Sequence, residues 1–224
     1  MTGKDHPCFL YMQIPAVLDS GVYLSDAESL ASEFGGTTLA SVDVDAVECL
    51  EPGTPECAIF LIEFKWMEQL TAFWTSEGSQ SLLGTLGSDS GLLALAVSGL
   101  PYLGLPDALE IPTIASVKPP ESSGPRAFMV IQGCVTDQKR IDQYRDVLLP
   151  MIAAAEAYYT AFEIAGGLQV LVGEWSWEIF AISRWPDHAA GHAVWDSERY
   201  QTRAIPIRTG AGTFNVHFFN GLAG

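Results

Sequence analysis

Short apolar runs and longer stretches with a helical spacing alternate along this chain of 224 residues. In the C-terminal half the runs fall at 127–132 (AFMVIQ), 158–164 (YYTAFEI), 177–185 (WEIFAISRW) and 213–219 (TFNVHFF). Their length and their aromatic and β-branched content predict strands. One helix is predicted between the first two runs and another from Pro186 to about Ile205. The resulting order, β-α-β-β-α-β, is the split-βαβ or ferredoxin-like plan.

The N-terminal half predicts a worn copy of that order. Strands are expected at 9–14, 38–44, 57–64 and 91–97, with a helix over 19–34 that Gly35-Gly36 stops. Residues 9–14 match 128–133 at an offset of 119, and the helical segment 73–80 (FWTSEGSQ) matches 194–201 (VWDSERYQ) at an offset of 121. Two nearly equal offsets at opposite ends of a unit point to internal duplication. The expected organisation is a degenerate repeat over 8–101, a Pro/Gly-rich extended linker over 102–126 and a second repeat over 127–222.

Two helices cover only one face of a four-stranded sheet. Both registers of most C-terminal strands are apolar, as in Met129/Val130 and Ile179/Phe180, so both faces are expected to be buried. The economical cover is the matching face of the other copy. That arrangement is an α+β fold in which two sheets pack face to face around a central cavity. The expected assembly is a monomeric pseudo-dimer or a homodimer.

Composition narrows the partners. Apolar residues make up 48% of the chain, and 11 Lys plus Arg face 27 Asp plus Glu, a net charge of -16. Such a balance repels phosphate backbones and anionic bilayers, so neither nucleic acid nor membrane is an expected partner. No apolar stretch approaches the ~20 residues of a bilayer span. Cys8, Cys49, Cys57 and Cys134 lack CxxC spacing, and reduced thiols in a cytoplasmic protein are expected, with a Cys49–Cys57 bridge as the alternative. A small-molecule substrate remains the expected partner.

Several segments carry a family resemblance. Residues 135–137 (VTD), 165–175 (AGGLQVLVGEW), 182–186 (ISRWP), 195–201 (WDSERYQ) and the closing Asn220-Gly221 resemble the domain-of-unknown-function family numbered 1330. The likeness spans nearly all of 127–222 and is weaker over 8–101, where Gly35-Gly36, 62–64 and 74–80 carry it. The resemblance implies the dimeric α+β barrel superfamily, which includes cofactor-free monooxygenases, isomerases, lyases and ligand-binding modules. The chain departs from the family at the residue before the Gly-Gly pair, where Ala165 and, in the first copy, Ser41 stand in place of Arg. It departs again where the family's third-strand Glu, retained as Glu63, is Arg184 in the second copy.

Strand alternation proposes the chemistry. A period of two places Phe180, Ile182 and Arg184 on one side, Tyr159, Ala161 and Glu163 on another, and Asn215, His217 and Phe219 on a third. If those sides meet in one cavity, His217 is the natural acid/base, Arg184 holds an anion and Glu163 orients the imidazole. Tyr159, Asn215, Gln132, Tyr11, Gln13 and Glu63 are then the candidate substrate contacts. The ordinary alternative is a hydrogen-bonded strand histidine at an interface, with Glu163 and Arg184 as a structural ion pair. His188 and His192, four apart on a helix, lack an HExxH glutamate and a third ligand by spacing, so a solvated face and no metal are expected. Trp74 and Trp195 are expected to be core anchors, and Gly166-Gly167 a turn or bulge rather than a phosphate loop.

The expected function is a cofactor-independent lyase, isomerase or cyclase acting on a small hydrophobic or aromatic metabolite. A cofactor-free monooxygenase and a non-catalytic binding module are the alternatives. The polar last strand of the second copy (Asn215, His217) against the wholly apolar one of the first (91–97) favours one working site.

Overall fold

The computed structural model describes residues 6–87, 91–100, 111–120, 124–164 and 168–223. Ala165, Gly166 and Gly167, and with them the expected glycine turn, lie outside that set. The N-terminal half contributes β1 (Cys8–Pro15), α1 (Gly21–Glu33), β2 (Gly36–Val42), β3 (Val47–Cys49), β4 (Cys57–Phe64), α2 (Met67–Thr75), α3 (Glu77–Thr85) and β5 (Leu93–Ser98). The C-terminal half contributes β6 (Ala127–Val135), α4 (Gln138–Ala154), β7 (Tyr158–Ile164), β8 (Leu168–Val172), β9 (Ile179–Trp185), α5 (His188–Trp195), α6 (Ile205–Arg208) and β10 (Gly212–Asn220). A π-helical turn over Tyr200–Ala204 precedes α6.

Two antiparallel sheets result, ordered β2-β4-β1-β5-β8 and β3-β10-β6-β9-β7. Each has five strands where the apolar pattern predicts four. The fifth comes from the opposite half: β3 pairs with β10, and β8 pairs with β5. Pattern could not reveal these strands. Three residues make up β3, and β8 alternates only weakly because its middle residues face solvent.

Three apolar clusters follow from strand alternation. Leu10, Met12, Phe60, Ile62 and Phe64 pack beneath α1 and α2 with Tyr23, Leu24 and Phe73. Met129, Tyr159, Ala181 and Phe218 pack beneath α4 and the Tyr200 turn. The alternate residues, Phe9, Tyr11, Ile59, Leu61 and Leu95 from one sheet and Phe128, Val130, Phe180 and Ile182 from the other, close the space between the sheets. Both faces of each sheet are therefore buried, as the doubled apolar registers require.

Local devices recur at the offsets read from the sequence. A bulge interrupts β2 between Thr38 and Ala40 and interrupts β7 between Tyr159 and Ala161, positions 121 apart. Each bulge adds an unpaired residue and turns the side chains that follow to the other face. Ser76 breaks the single expected helix into α2 and α3, its hydroxyl accepting from Ser79 N at 3.1 Å. Ser197 does the same for Tyr200 N at 3.1 Å. Gln80 donates to the Trp74 carbonyl at 2.6 Å, and Gln201 to the Trp195 carbonyl at 2.7 Å.

Leu100, just before the expected linker, and Pro112, within it, lie along the edge of β7. Leu100 N donates to Thr160 O at 2.8 Å, and Tyr159 N donates to Pro112 O at 2.8 Å. Residues 101–110 and 121–123 of that segment lie outside the described set. All four cysteines are unpaired. Among the described residues no helix is long and apolar enough to cross a membrane.

Candidate functional site

The first strand of each half and the last strand of the second carry the polar residues that meet between the sheets. Gln13 on β1 and Gln132 on β6, 119 positions apart, face each other across the gap. Gln13 Nε2 lies 3.4 Å from Gln132 Oε1, and Gln132 Nε2 lies 3.3 Å from Gln13 Oε1, a reciprocal amide pair. Gln13 Nε2 also donates to the Tyr11 hydroxyl at 2.9 Å. His217 stands beside them. The Pro55 carbonyl can only accept, so the His217 Nε2–H donates to it at 2.8 Å, and the unprotonated Nδ1 faces Gln13 Nε2 at 3.3 Å. Cys57 Sγ lies 3.4 Å from the same Nε2.

The side chains of this cluster are buried, while Pro55 is an exposed loop residue. His217 has no exposed surface and Gln132 is 1% exposed. Burial holds His217 below the usual imidazole range, with the Pro55 carbonyl partly opposing that shift. Burial likewise raises the Tyr11 phenol well above its ordinary value and pushes the Cys57 thiol up to about 12. The cluster is thus neutral throughout, with its partners already supplied by protein.

The remaining expected contacts are dispersed. Asn215 lies opposite Gln132 in the register of β10 and β6. Glu163 reaches the inter-sheet side but lies opposite Phe180 on β9. From Glu163 to His217 is three strand spacings, roughly 14 Å along the sheet. It therefore cannot orient the imidazole, and its carboxyl pKa is raised by burial. Arg184 sits two residues beyond the His217 level, over the Phe128 ring at 5.6 Å, and its buried Nε has no hydrogen-bond partner. Burial raises the Glu63 carboxyl, an effect that the charge of Arg184 partly offsets. The expected Glu163–Arg184 ion pair does not form; strand positions 163 and 184 face different partners.

Tyr159 is on the opposite face of its sheet. The bulge after it sends Ala161 inward and leaves Tyr159 under α4. That relocation matters, because a cleft opens there. Its volume is about 140 Å³, and its wall includes Ile131, Leu148, Phe162, Ile179, Ala181 and Phe214, with Tyr144 and Tyr159. Gln138, Arg145 and Glu178 supply its polar positions. The hydroxyl of Tyr144, on its wall, shares a hydrogen bond of 2.9 Å with that of Tyr200. Burial raises the phenol pKa values of Tyr144, Tyr159 and Tyr200, keeping all three protonated at neutral pH. Tyr159 can donate a hydrogen bond to a ligand oxygen, and none of the three can serve as a resting base.

The sequence pattern missed the cleft for a definable reason. Ile141, Tyr144, Arg145 and Leu148 have the spacing of an ordinary packed helix face, and nothing in it signals a void. Pattern also missed Cys57 and Pro55 beside His217, and Glu48 beside His188 and His192.

Two antiparallel five-stranded sheets joined face to face, with helices on the outside, make a mixed α+β fold. Residues 126–222 match the family described as a domain of unknown function, DUF1330. No curated protein matches the chain by sequence. Among solved structures, a candidate monooxygenase from Fusobacterium nucleatum is similar at a TM-score of 0.51 and 10% identity, covering 97% of this chain and 93% of that one. Another from Lactobacillus acidophilus has a TM-score of 0.49 and 14% identity over 96% of this chain and 93% of that one. A variant chlorite dismutase from Candidatus Nitrospira defluvii has a TM-score of 0.47 and 12% identity over 99% and 93%. At such identities the likeness concerns fold alone.

Proposed function

We propose that the C-terminal half is a small-molecule site that holds a single aromatic or apolar ring in the cleft beneath α4. The observation behind this reading is the cleft's size and lining. A cavity of about 150 Å³ accommodates a benzene-sized ligand, and this one measures about 140 Å³ with a mostly apolar wall. Tyr159 would supply the orienting hydrogen bond to an oxygen on the ring. This keeps the expected ligand class and the expected role of Tyr159, but moves the site from between the sheets to beneath a helix.

The same reading treats the chain as two ferredoxin-like repeats, 8–101 and 127–222, joined by 102–126. Matching strand orders, bulges and serine caps support it. Binding is favoured over lyase, isomerase or cyclase turnover because His217 is enclosed by Gln13, Pro55 and Cys57. A substrate could reach it only by displacing one of these partners.

Calorimetric titration with p-cresol and indole tests the proposal. Wild type is expected to saturate, and Ala181→Leu, which fills the cleft, to weaken binding by about tenfold or more. His217→Gln should bind as wild type does. Failure of wild type to saturate with either probe would overturn the proposal, as would unchanged binding by a folded Ala181→Leu protein.

A further inference from the structure

Glu48 of β3 and the two histidines of α5 meet on the outer side of the second sheet. The exchange of β3 places Glu48 opposite Phe218 on β10. Gly191 lets α5 descend onto that ring, since a Cβ there would lie 2.2 Å from Phe218. His188 stacks on Phe218 with centroids 4.4 Å apart, and His192 packs on the same ring at 5.5 Å. Both imidazoles thereby turn Nε2 toward one carboxylate. His192 Nε2 is 2.8 Å from Glu48 Oε2, and His188 Nε2 is 3.3 Å from Glu48 Oε1.

The other nitrogen of His192 is engaged as well. Its Nδ1 lies 3.0 Å from Asp196 Oδ2, a carboxylate that can only accept. With the proton held on Nδ1, Nε2 presents a lone pair to the Glu48 oxygen. Two acceptors at 2.8 Å need a cation between them, either a second proton on the ring or a metal ion. A carboxylate behind a ligating histidine is the usual outer support of a metal-bound imidazole.

We propose that Glu48, His188 and His192 bind a divalent transition ion of the zinc class, with Asp196 as the positioning residue for His192. Two imidazole nitrogens and one carboxylate suit zinc, cobalt or nickel rather than calcium or magnesium, which take oxygen ligands. The three donor atoms lie within 4.8 Å of one another. Donors around a shared tetrahedral zinc stand roughly 3.4 Å apart, given ~2.1 Å bonds. Rotation of these half-exposed side chains covers the difference. Three protein donors leave a coordination position for water. An ion here would fasten an N-terminal strand to a C-terminal helix, and it is independent of the ligand cleft.

The test uses the untagged full chain, stripped with EDTA and titrated with Zn²⁺, with Co²⁺ as a spectroscopic stand-in. Wild type is expected to bind one ion per chain, to develop visible Co²⁺ bands and to gain thermal stability with the ion. Loss of an outer carboxylate typically weakens binding by about 10–100-fold, so Asp196→Asn should fall in that range. Glu48→Gln, His188→Ala and His192→Ala should each lose more than about 100-fold, the loss of a ligand exceeding that of its support. His6→Ala should change nothing, and Mg²⁺ should not compete. Wild-type-like affinity in any folded ligand variant would overturn the proposal. If a variant does not fold, the wild-type Co²⁺ spectrum decides, and absence of bands at one equivalent overturns it.

Discussion

The two halves share a strand order but differ beneath their first helices. Under α1, Tyr23, Leu24, Ala27 and Ala31 fill the space against β1 and β4, and the Tyr23 hydroxyl reaches Met12 Sδ at 3.1 Å. Under α4 the equivalent space is kept open by Tyr144, Leu148 and Tyr159, whose rings and methyls wall a cleft instead of filling it. Close packing is the default of a protein interior. A half that departs from it while its twin does not has exchanged some stability for room. The polar residues of the last strand face the other sheet, whereas the cleft opens on the opposite face, beneath α4.

Matched truncations would break or sharpen this contrast. Leu→Ala in a core costs ~2–5 kcal/mol, more where surroundings cannot relax into the void. Leu24, 5% exposed on the buried face of α1 in the filled half, should lie near the top of that range when replaced by Ala. Leu148, 9% exposed on the cleft, should lie near the bottom. Denaturant unfolding of both variants measures the gap, and equal losses would remove the distinction between the halves.

A smaller effect concerns the sealed histidine on the second half's last strand, which has no counterpart in the first. His217 titrates lower in the folded chain than in the unfolded one. As pH falls below ~6.5, the unfolded state takes up a proton that the native ring refuses, so stability drops by at most ~1.4 kcal/mol per pH unit. The drop ends once the depressed native pKa is passed. Glu63 and Glu163, raised by burial, act oppositely and add stability as pH falls through their own range. Comparing wild type with His217→Gln from pH 7 to pH 5 isolates the ring. The stability difference should move against wild type on acidification, and parallel curves would contradict an enclosed, neutral His217.

The smallest effect tests sameness rather than difference. Ser76 and Ser197 accept from backbone amides at equivalent positions. Replacing either by Ala should cost ~1 kcal/mol, the usual worth of a cap. Thermal unfolding should show the two losses within a few tenths of each other. A markedly unequal pair would mean that the shared wiring has been overridden on one side.

Periodicity located the long strands and both faces of each sheet, because burial on two sides leaves a continuous apolar record in residues such as 127–131 and 57–62. It also placed Gln13, Gln132, Tyr11 and His217 on surfaces that do meet. Its errors have physical causes. One bulged residue at Thr160 reverses the side on which Tyr159 lies relative to Ala161, and no hydropathy count detects such a shift. The exchanged strands β3 and β8 gain their pairing from distant partners and so lack a strong local pattern. Glu48 met His188 and His192 through that exchange alone, across 140 and 144 positions of sequence.

The crossed strands also bear on how such a molecule comes apart. A polypeptide of residues 126–222 alone would have β8 without its neighbour and β10 with a bare rim. Both deficits are met at once by an identical copy offering the same two features. Held within one chain, the two exchanged strands tie the halves to each other at both edges without a second molecule.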